Sequence, residues 1–189
     1  MRDLTRGGVE RNSLVNHALQ YAARGWAVFP CHSAIERDGK LGCTCGRKSC
    51  HSPAKHPLTK RGFKDASTAP QQIEAWWRQW PWANVAIATG MRSGGLVVID
   101  VDGSQGADEL KALCATFGSL PLTLVAKTGN GWHLYFHCPT PLPSSARGHL
   151  HVRGENGYVL APPSRHVSGN DYQAINLPEW TDFIRGGLQ

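Results

Sequence analysis

The sequence lacks the long apolar run that a membrane span needs, since no stretch approaches ~20 consecutive apolar residues. Its N-terminus also lacks the apolar core of a secretory signal peptide, and we therefore expect a cytoplasmic protein that makes no membrane contact. Internal repeats and low-complexity segments are absent as well. Acidic residues are the minority: 14 Asp and Glu face 20 Lys and Arg, which leaves a formal net charge of +6. This balance favours an anionic partner such as nucleic acid or nucleotide, although a solvated basic surface has the same composition.

A hydrophobic content of 41% and seven Trp are typical of a folded chain, and 189 residues suffice for one domain. We expect a loosely held tail over 1–12, a domain over 13–177 with an insert at 31–64, and a C-terminal segment, 178–189, that leads into a further domain. Apolar spacing predicts helices at 13–24, 70–80 and 105–117 and strands at 26–30, 84–89, 96–102, 122–128, 132–137, 149–153 and 157–161. Helices and strands alternate early and hairpins dominate late, which predicts an α+β fold.

Two carboxylates one residue apart end the apolar strand 96–102. Alternation along a strand places Asp100 and Asp102 on the same face, where two ionised groups repel each other and are costly to bury unpaired. Divalent cations remove that cost, and a metal pair ~3.5–4 Å apart can activate an attacking oxygen and stabilise a leaving phosphate. An acidic turn without metal would give the same pattern, so the pair alone is a weak motif.

Cysteine and histidine are concentrated in the insert 31–64. The spacing Cys43-x-Cys45-x4-Cys50-x5-His56 is tight enough for one tetrahedral zinc site that holds a segment with few apolar residues. His32 is an alternative fourth ligand, whereas Cys31 is a poorer candidate because it adjoins a strand. Four protein ligands leave no open position, so the predicted zinc is structural. Reduced surface cysteines are the competing interpretation.

The predicted hairpin Thr128-Gly-Asn-Gly131 precedes a strand that carries His133. An imidazole there can hydrogen-bond a triphosphate oxygen, and Lys127 and Arg153 are further candidates for neutralising phosphate charge. Each of these residues is equally compatible with an ordinary structural role.

Six segments, in order, closely resemble the bifunctional DNA primase/polymerase (prim-pol) domain of the archaeo-eukaryotic primase superfamily. The resemblance spans about residues 17 to 172. The segments are Tyr21-Ala-Ala-Arg-Gly-Trp-Ala-Val-Phe-Pro30, Lys55-His-Pro57, 73–90, Val98-Ile-Asp-Val-Asp-Gly103, Thr128-Gly-Asn-Gly-Trp-His-Leu-Tyr-Phe136 and Val152-Arg-Gly-Glu-Asn-Gly-Tyr-Val-Leu-Ala-Pro-Pro-Ser164. The resemblance implies an RRM-like catalytic sheet, mixed or antiparallel, with flanking helices and a small N-terminal α/β unit that carries the zinc loop.

The resemblance also implies template-directed nucleotidyl transfer from (d)NTPs in phage, plasmid or bacterial DNA replication. Asp100 and Asp102 match the motif that binds two catalytic Mg²⁺ or Mn²⁺ ions, His133 matches the nucleotide-binding histidine, and Arg153 would bind phosphate. Such domains act on a DNA template and primer, often beside a replicative helicase, and we expect a monomer.

One position departs from the family pattern. His151 stands where the family usually has an aspartate, the third metal ligand, and imidazole ligates Mn²⁺ better than it ligates hard Mg²⁺. Three consequences stay open: a changed metal preference, recruitment of another carboxylate such as Glu155, or weak activity. Two other functions also stay open, a catalytically degenerate nucleic-acid-binding module and a metal-dependent glycosyltransferase that uses a DxD pair.

Overall fold

The computed structural model describes residues 6–175, and these form a mixed α and β structure with antiparallel sheets. The helices are α1 (Arg6–Ala23), α2 (Pro70–Gln79) and α3 (Gly103–Phe117), with short 3₁₀-helices at Gly62–Asp65 and Met91–Ser93. The strands are β1 (Val28–Cys31), β2 (Ala34–Arg37), β3 (Lys40–Cys43), β4 (Asn84–Ala88), β5 (Leu96–Asp102), β6 (Leu124–Lys127), β7 (Gly131–His137), β8 (Ser145–Arg147), β9 (Leu150–Arg153), β10 (Tyr158–Leu160) and β11 (Gln173–Ile175). No helix within 6–175 has both the length and the hydropathy of a membrane span.

Six strands form the larger sheet in the order β11-β6-β7-β5-β9-β8, so that the acidic strand β5 lies between β7 and β9. A smaller sheet has the order β1-β4-β10, and β2 pairs with β3 in a separate hairpin. All of these pairings are antiparallel. The central position of β5 agrees with its β-branched, apolar sequence. The strand is paired on both sides, and the residues of its first half are buried.

Helix α3 covers one face of the large sheet. Val101, Leu134 and Leu150 pack there against Ala107 and Leu110 of the helix. The helix starts directly after β5, and Gly106 lets it approach closely, because a Cβ at that position would lie 2.7 Å from the His149 carbonyl oxygen. Residues on the α3 side alternate along β5 with those on the other face, so Asp100 and Asp102 project away from α3.

The small sheet, α1 and α2 cover the other face of the large sheet at one end. Val98 and Tyr135 of the large sheet share a core cluster with Val85 and Ile87 of β4 and with Ile73 of α2. The α2 sequence is typical of such a helix: a proline starts it, and Ile73 and Trp77 bury one side. Because this packing ends before Asp100, the acidic end of β5 stays accessible.

Several boundaries differ from those expected from the sequence. Helix α1 begins at Arg6 and not at Ser13, so part of the segment expected as a loose tail is helical; residues 1–5 lie outside the described range. The insert contains the β2–β3 hairpin, and β8 and β11 were not expected, because these short strands carry little apolar alternation. The predicted C-terminal segment 178–189 lies outside the described residues.

Candidate functional site

Asp100 and Asp102 lie at the end of β5 on the face that α3 leaves open. The Asp100 side chain is 15% exposed and that of Asp102 is 45% exposed. Gly131 on β7 lies opposite Asp102, and a Cβ there would collide with the Val101 carbonyl, so only glycine allows this approach of the two strands. The two carboxylates therefore face solvent-accessible space from a rigid, central strand.

Two histidines flank Asp100 across the neighbouring strands. The ladder sets His133 of β7 and His151 of β9 directly opposite Asp100, so all three side chains share one face. His133 Nε2 lies 3.4 Å from Asp100 Oδ1, and His151 Nδ1 lies 3.7 Å from Asp102 Oδ2. One ligand atom from each of Asp100, Asp102 and His151 lies within 4.8 Å of the other two. This group of three could hold a metal ion.

Arg153 projects from β9 into the same group. Its Nη2 lies 2.9 Å from Asp100 Oδ2, and its Nε lies 3.2 Å from the same oxygen. Nη2 also lies 3.0 Å from His151 Nδ1. Because a guanidinium can only donate, His151 Nδ1 is the acceptor and its lone pair points at Arg153 Nη2. Nδ1 also lies 3.7 Å from Asp102 Oδ2, so a metal bound by His151 here would take the place of Arg153 at that nitrogen.

The electrostatics keep Asp100 ionised. Burial by itself would raise the pKa of Asp100, but hydrogen bonds and charge from His133 and Arg153 outweigh burial and hold the pKa well below its usual range. The carboxylate is thus a competent metal ligand at neutral pH without a change of protonation state.

A cavity of about 390 Å³ opens over this group, within the size range of small-ligand sites. Its walls come from the insert, from β5, β7, β9 and β10, and from the segment before β11. The lining residues are Ser52, Lys55, Asp100, Asp102, Thr128, Asn130, His133, Ser144, Arg153, Asn156, Gly157, Tyr158, Val159, Leu160, His166 and Tyr172. Most of these side chains are polar, which suits a charged ligand better than an apolar one.

A second metal-ligand cluster lies in the insert. Cys43, Cys45, Cys50 and His56 each place one ligand atom within 4.8 Å of the others, about twice a Zn–S bond of ~2.3 Å. Cys43 Sγ lies 3.4 Å from His56 Nε2. A hydrogen bond from the Arg47 backbone N–H lowers the pKa of Cys45 to about 6, which favours the thiolate that binds metal. The spacing had predicted this grouping.

Neither alternative residue of the insert joins that cluster. His32 stacks on His56 with ring centroids 4.1 Å apart, and its Nδ1 pairs with Thr44 Oγ1 at 2.8 Å. Cys31 is fully buried in β1, and burial raises the pKa of its thiol well above the usual value. His32 thus packs against His56 from outside the group of four candidate ligands.

Comparison with known families identifies the chain. The model of the family described as "Bifunctional DNA primase/polymerase, N-terminal" matches residues 18–182 of the 189. The chain belongs to this Prim-Pol family. The match covers the large sheet, both metal-ligand clusters and the cavity, and it confirms the resemblance seen in the sequence. No protein among curated sequences matches the chain.

Membership in the Prim-Pol family indicates a primase/polymerase that acts in DNA replication, an enzyme of nucleotidyltransferase type that binds DNA and nucleotides. A DxD pair is common to this class and to glycosyltransferases and does not separate them. The family match over residues 18–182 does, and it favours the primase/polymerase class. Two of the residues that the family resemblance had singled out, His133 and Arg153, lie beside the acidic pair in this Prim-Pol domain.

Lys127 and Glu155 do not lie with His133 and Arg153 beside the acidic pair. Lys127 follows Ala126, the partner of His133, so it projects to the α3 side and lines a separate pocket with Asp108 and Trp132. The Glu155 carboxylate accepts a hydrogen bond of 2.6 Å from the Met91 backbone N–H and lies outside the acidic group. Glu155 therefore does not replace the missing aspartate of this Prim-Pol domain.

Among the cavity residues of the Prim-Pol domain that carried no functional prediction are Lys55, His166 and Tyr172. Lys55 was noted only within the Lys55-His-Pro57 resemblance, and His166 and Tyr172 lie in a segment without a motif. The Tyr172 ring centroid lies 5.8 Å from that of His133. Burial raises the pKa of the Tyr172 hydroxyl, and the nearby charges of Asp100 and Asp102 raise it further. Only the Lys55 motif was available as a signal.

Proposed function

We propose that this domain catalyses template-directed nucleotidyl transfer from (d)NTPs, as a primase/polymerase of phage, plasmid or bacterial DNA replication. The observation that carries the proposal is the common cavity: a carboxylate pair, a buried histidine and an arginine line one polar space of about 390 Å³. Cations held by the carboxylates and cationic or donor groups beside them are what a nucleoside triphosphate requires.

Asp100 and Asp102 are the residues that would hold the catalytic Mg²⁺ or Mn²⁺. The donor set supports this assignment, because two carboxylates with an adjacent imidazole suit an octahedral divalent cation. Two bound ions would lower the pKa of the primer hydroxyl and neutralise the departing pyrophosphate. Before they bind, Arg153 supplies positive charge to Asp100 in their place.

Arg153 and His133 would then bind the triphosphate. With a cation beside Asp100, the Arg153 guanidinium would be free to pair with phosphate oxygens, for which its planar donor pattern is well suited. His133 is 4% exposed, and its Nδ1 has no hydrogen-bond partner among the described residues. Because that nitrogen is closed to the cavity, we assign the nucleotide contact to the ring edge that carries Nε2, which lies 3.4 Å from Asp100 Oδ1.

His151 sets the metal preference in this proposal. Its Nδ1 lies 3.7 Å from Asp102 Oδ2, so it would act as the third ligand in place of an aspartate when Arg153, which donates to it, pairs with phosphate instead. Imidazole nitrogen is a poor ligand for Mg²⁺ and a good one for Mn²⁺. We therefore expect higher activity with Mn²⁺, and Glu155 lies too far from the group to change this.

The insert cluster would hold structural zinc through Cys43, Cys45, Cys50 and His56. Three thiolates and one imidazole complete a tetrahedral site and leave no position for substrate. The zinc would fix Lys55, which lines the nucleotide cavity next to the ligand His56. The large sheet would correspond to the RRM-like catalytic sheet of the family. We further propose that the protein is a cytoplasmic monomer that works beside a replicative helicase.

A primer-synthesis assay tests the proposal. The protein is incubated with single-stranded DNA, labelled nucleotides and either Mg²⁺ or Mn²⁺, and NTPs and dNTPs are compared. We expect product with the wild type and none above background with Asp100→Ala combined with Asp102→Ala. Asp108→Ala, an exposed position of α3, is the control, and circular dichroism verifies that each variant is folded. Synthesis by the double variant at the wild-type rate would overturn the assignment.

The same assay separates the proposal from a non-catalytic nucleic-acid module. The pairing of Arg153 with Asp100 and the presence of His151 are the observations that favour the latter. Salt-sensitive DNA binding without incorporation under either metal would establish the module and exclude the enzyme.

A further inference from the structure

The positive charge of the chain is concentrated in the insert. Residues 31–64 contain eight Lys and Arg but only two acidic residues, Glu36 and Asp38. This excess equals the formal net charge of +6 of the whole chain. The remaining sequence is therefore electrically balanced, and the insert supplies the attraction for a polyanion.

Beside the insert lies a second, open cavity of about 780 Å³, separate from the nucleotide cavity. One wall is the segment that ends the insert, and the other wall is helix α2. We call this cavity the basic groove, and its lining residues are Leu58, Thr59, Lys60, Arg61, Lys64, Asp65, Ala66, Ser67, Ala69, Gln72, Trp76 and Trp80.

Two tryptophans form the aromatic wall of the basic groove. Gln72, Trp76 and Trp80 are spaced four residues apart, so they form one stripe along α2 and its C-terminal end. Both tryptophans are only partly buried, while Trp77 between them is buried and donates its indole N–H to the Ala83 carbonyl. Trp77 thus belongs to the core, whereas Trp76 and Trp80 present part of their ring surface to the groove.

Two lysines form the basic wall. Lys60 and Lys64 are exposed, and neither side chain makes a hydrogen bond or ion pair with another residue in the described part of the chain. Arg61 differs, because it pairs with Asp65 at 2.7 Å. Within the described residues, no acidic side chain therefore competes with a partner for these two lysines.

The basic groove adjoins the nucleotide cavity through one short segment. Lys55 lines the nucleotide cavity, His56 belongs to the zinc-ligand cluster, and Leu58 begins the wall of the groove. The Leu58 backbone N–H donates to the Pro30 carbonyl at 3.0 Å and fixes the segment to β1. Only the few residues from Lys55 to Leu58 thus separate, along the chain, the lining of the nucleotide cavity from that of the groove.

We propose that the basic groove binds single-stranded DNA, the template of the proposed reaction, on which this inference rests. Lys60 and Lys64 contact phosphates, and bases stack on Trp76 and Trp80. Single strands expose base faces for stacking while duplexes do not, so the combination of lysines and open indole rings selects the single strand. Sequence preference is low, because stacking and phosphate contacts carry little base information.

Fluorescence anisotropy with a labelled oligothymidylate tests the groove, in a salt series without nucleotide, Mg²⁺ or Mn²⁺. Lys60→Glu with Lys64→Glu is expected to weaken binding at least about tenfold and to lower the salt slope by ~1.4, or ~0.7 per lost phosphate contact. Arg37→Glu with Lys40→Glu, at exposed positions of the β2–β3 hairpin, makes the same charge change on the same insert and should weaken binding far less.

Trp80→Leu removes stacking without a change of charge. It should weaken binding about five- to 150-fold, the usual contribution of one stacked base, with an unchanged salt slope. Trp80→Phe should restore most of the affinity, and zinc content together with the unfolding midpoint verifies that each variant is intact. Restoration by phenylalanine separates stacking from a general loss of fold.

The inference would be overturned if the wild type did not bind the oligothymidylate, or if the two charge-reversal variants lost the same amount of affinity. It would also be overturned if duplex DNA bound as tightly as the oligothymidylate, or if polyglutamate displaced the labelled strand as effectively as unlabelled oligothymidylate does. Because binding is measured without nucleotide, it is independent of primer synthesis. A protein that synthesises primers but shows one of these outcomes refutes the groove alone. A protein that binds as expected but makes no product refutes the proposed function alone.

Discussion

The two metal-ligand clusters of this domain are assembled in opposite ways. The insert cluster takes all of its ligands from Cys43 to His56, on a hairpin and loop with few apolar contacts. The acidic cluster takes its ligands from two strands of the large sheet, with Asp100 and Asp102 on β5 and His151 on β9. The first lies in a segment that the proposed zinc would hold together, and the second lies on a sheet held by its own strand pairing and core.

This difference predicts different consequences of damage. If the insert holds zinc as proposed, loss of the metal should remove folding free energy, because metal binding by such ligands is coupled to folding. Loss of a catalytic cation leaves the sheet intact, because the buried residues of β5 are held by the neighbouring strands and by α3. Stability should therefore depend on the first cluster and chemistry on the second.

The largest effect is expected at the insert. Cys45→Ser with Cys50→Ser should abolish zinc binding and lower the free energy of unfolding by several kcal/mol, below the ~10–16 kcal/mol of isolated zinc fingers because the sheets remain. Elemental analysis and thermal unfolding measure both quantities. Cys114→Ser, at a half-buried position of α3, is the control. A zinc-free variant with wild-type stability would contradict the comparison.

A smaller effect is expected from His133→Ala. The variant removes the imidazole that lines the cavity beside Asp100, and it should weaken binding of a non-hydrolysable dNTP about 10- to 150-fold, the usual range for a charge-assisted hydrogen bond. Calorimetry measures the affinity, and zinc content should not change. His137→Ala, at an exposed position of the same strand, is the matched control. Equal affinities of the two variants would exclude a nucleotide role for His133.

His151→Asp should change the metal preference of the acidic cluster and leave the insert unchanged. A carboxylate is a harder ligand than imidazole, so the ratio of Mg²⁺ to Mn²⁺ affinity should rise on the order of tenfold. Electron paramagnetic resonance of Mn²⁺, with Mg²⁺ as the competitor, gives this ratio without an activity assay. An unchanged ratio would show that His151 is not a ligand.

The smallest effect, on the order of 1 kcal/mol, is the contribution of the ionised Asp100 carboxylate to the free energy of unfolding, which acid removes. The folded-state pKa of Asp100 is lowered, so its contribution to stability is complete above its unfolded pKa of ~3.9 and is lost as the pH falls toward the folded value. The difference in unfolding free energy between the wild type and Asp100→Asn should therefore shrink below about pH 4. Denaturant titrations across pH measure it, and parallel curves would contradict the Arg153–Asp100 pairing.

The insert cluster was visible in the sequence because its ligands are close along the chain. A spacing of a few residues limits how far apart cysteines can lie, whatever the surrounding fold. Helix α2, strand β5 and the β6–β7 hairpin were also predictable, since apolar periodicity, Pro70 and the Asn130-Gly131 turn are local signals. The short strands β2, β3, β8 and β11 lack such signals and were missed.

The acidic cluster was only half visible. Alternation along β5 predicted that Asp100 and Asp102 share a face, and the family resemblance singled out His133, His151 and Arg153. The opposition of His133 and Asp100 depends on the strand register, which pairing across the sheet decides. Lys127 shows the same limit: its nearness along the chain suggested the cavity, yet its position one residue from Ala126 turns it to the α3 side.

The sequence by itself determined the local features of this protein: the apolar strands and helices, the cysteine spacing, the acidic pair and the order of motifs that identifies the family. Only the tertiary structure decided which distant residues meet, such as Lys55 and Tyr172 at the nucleotide cavity and Lys60 with Trp80 at the basic groove. The physical reason is that periodicity and spacing act over a few residues, whereas these contacts depend on sheet register and on the packing of the insert against α2.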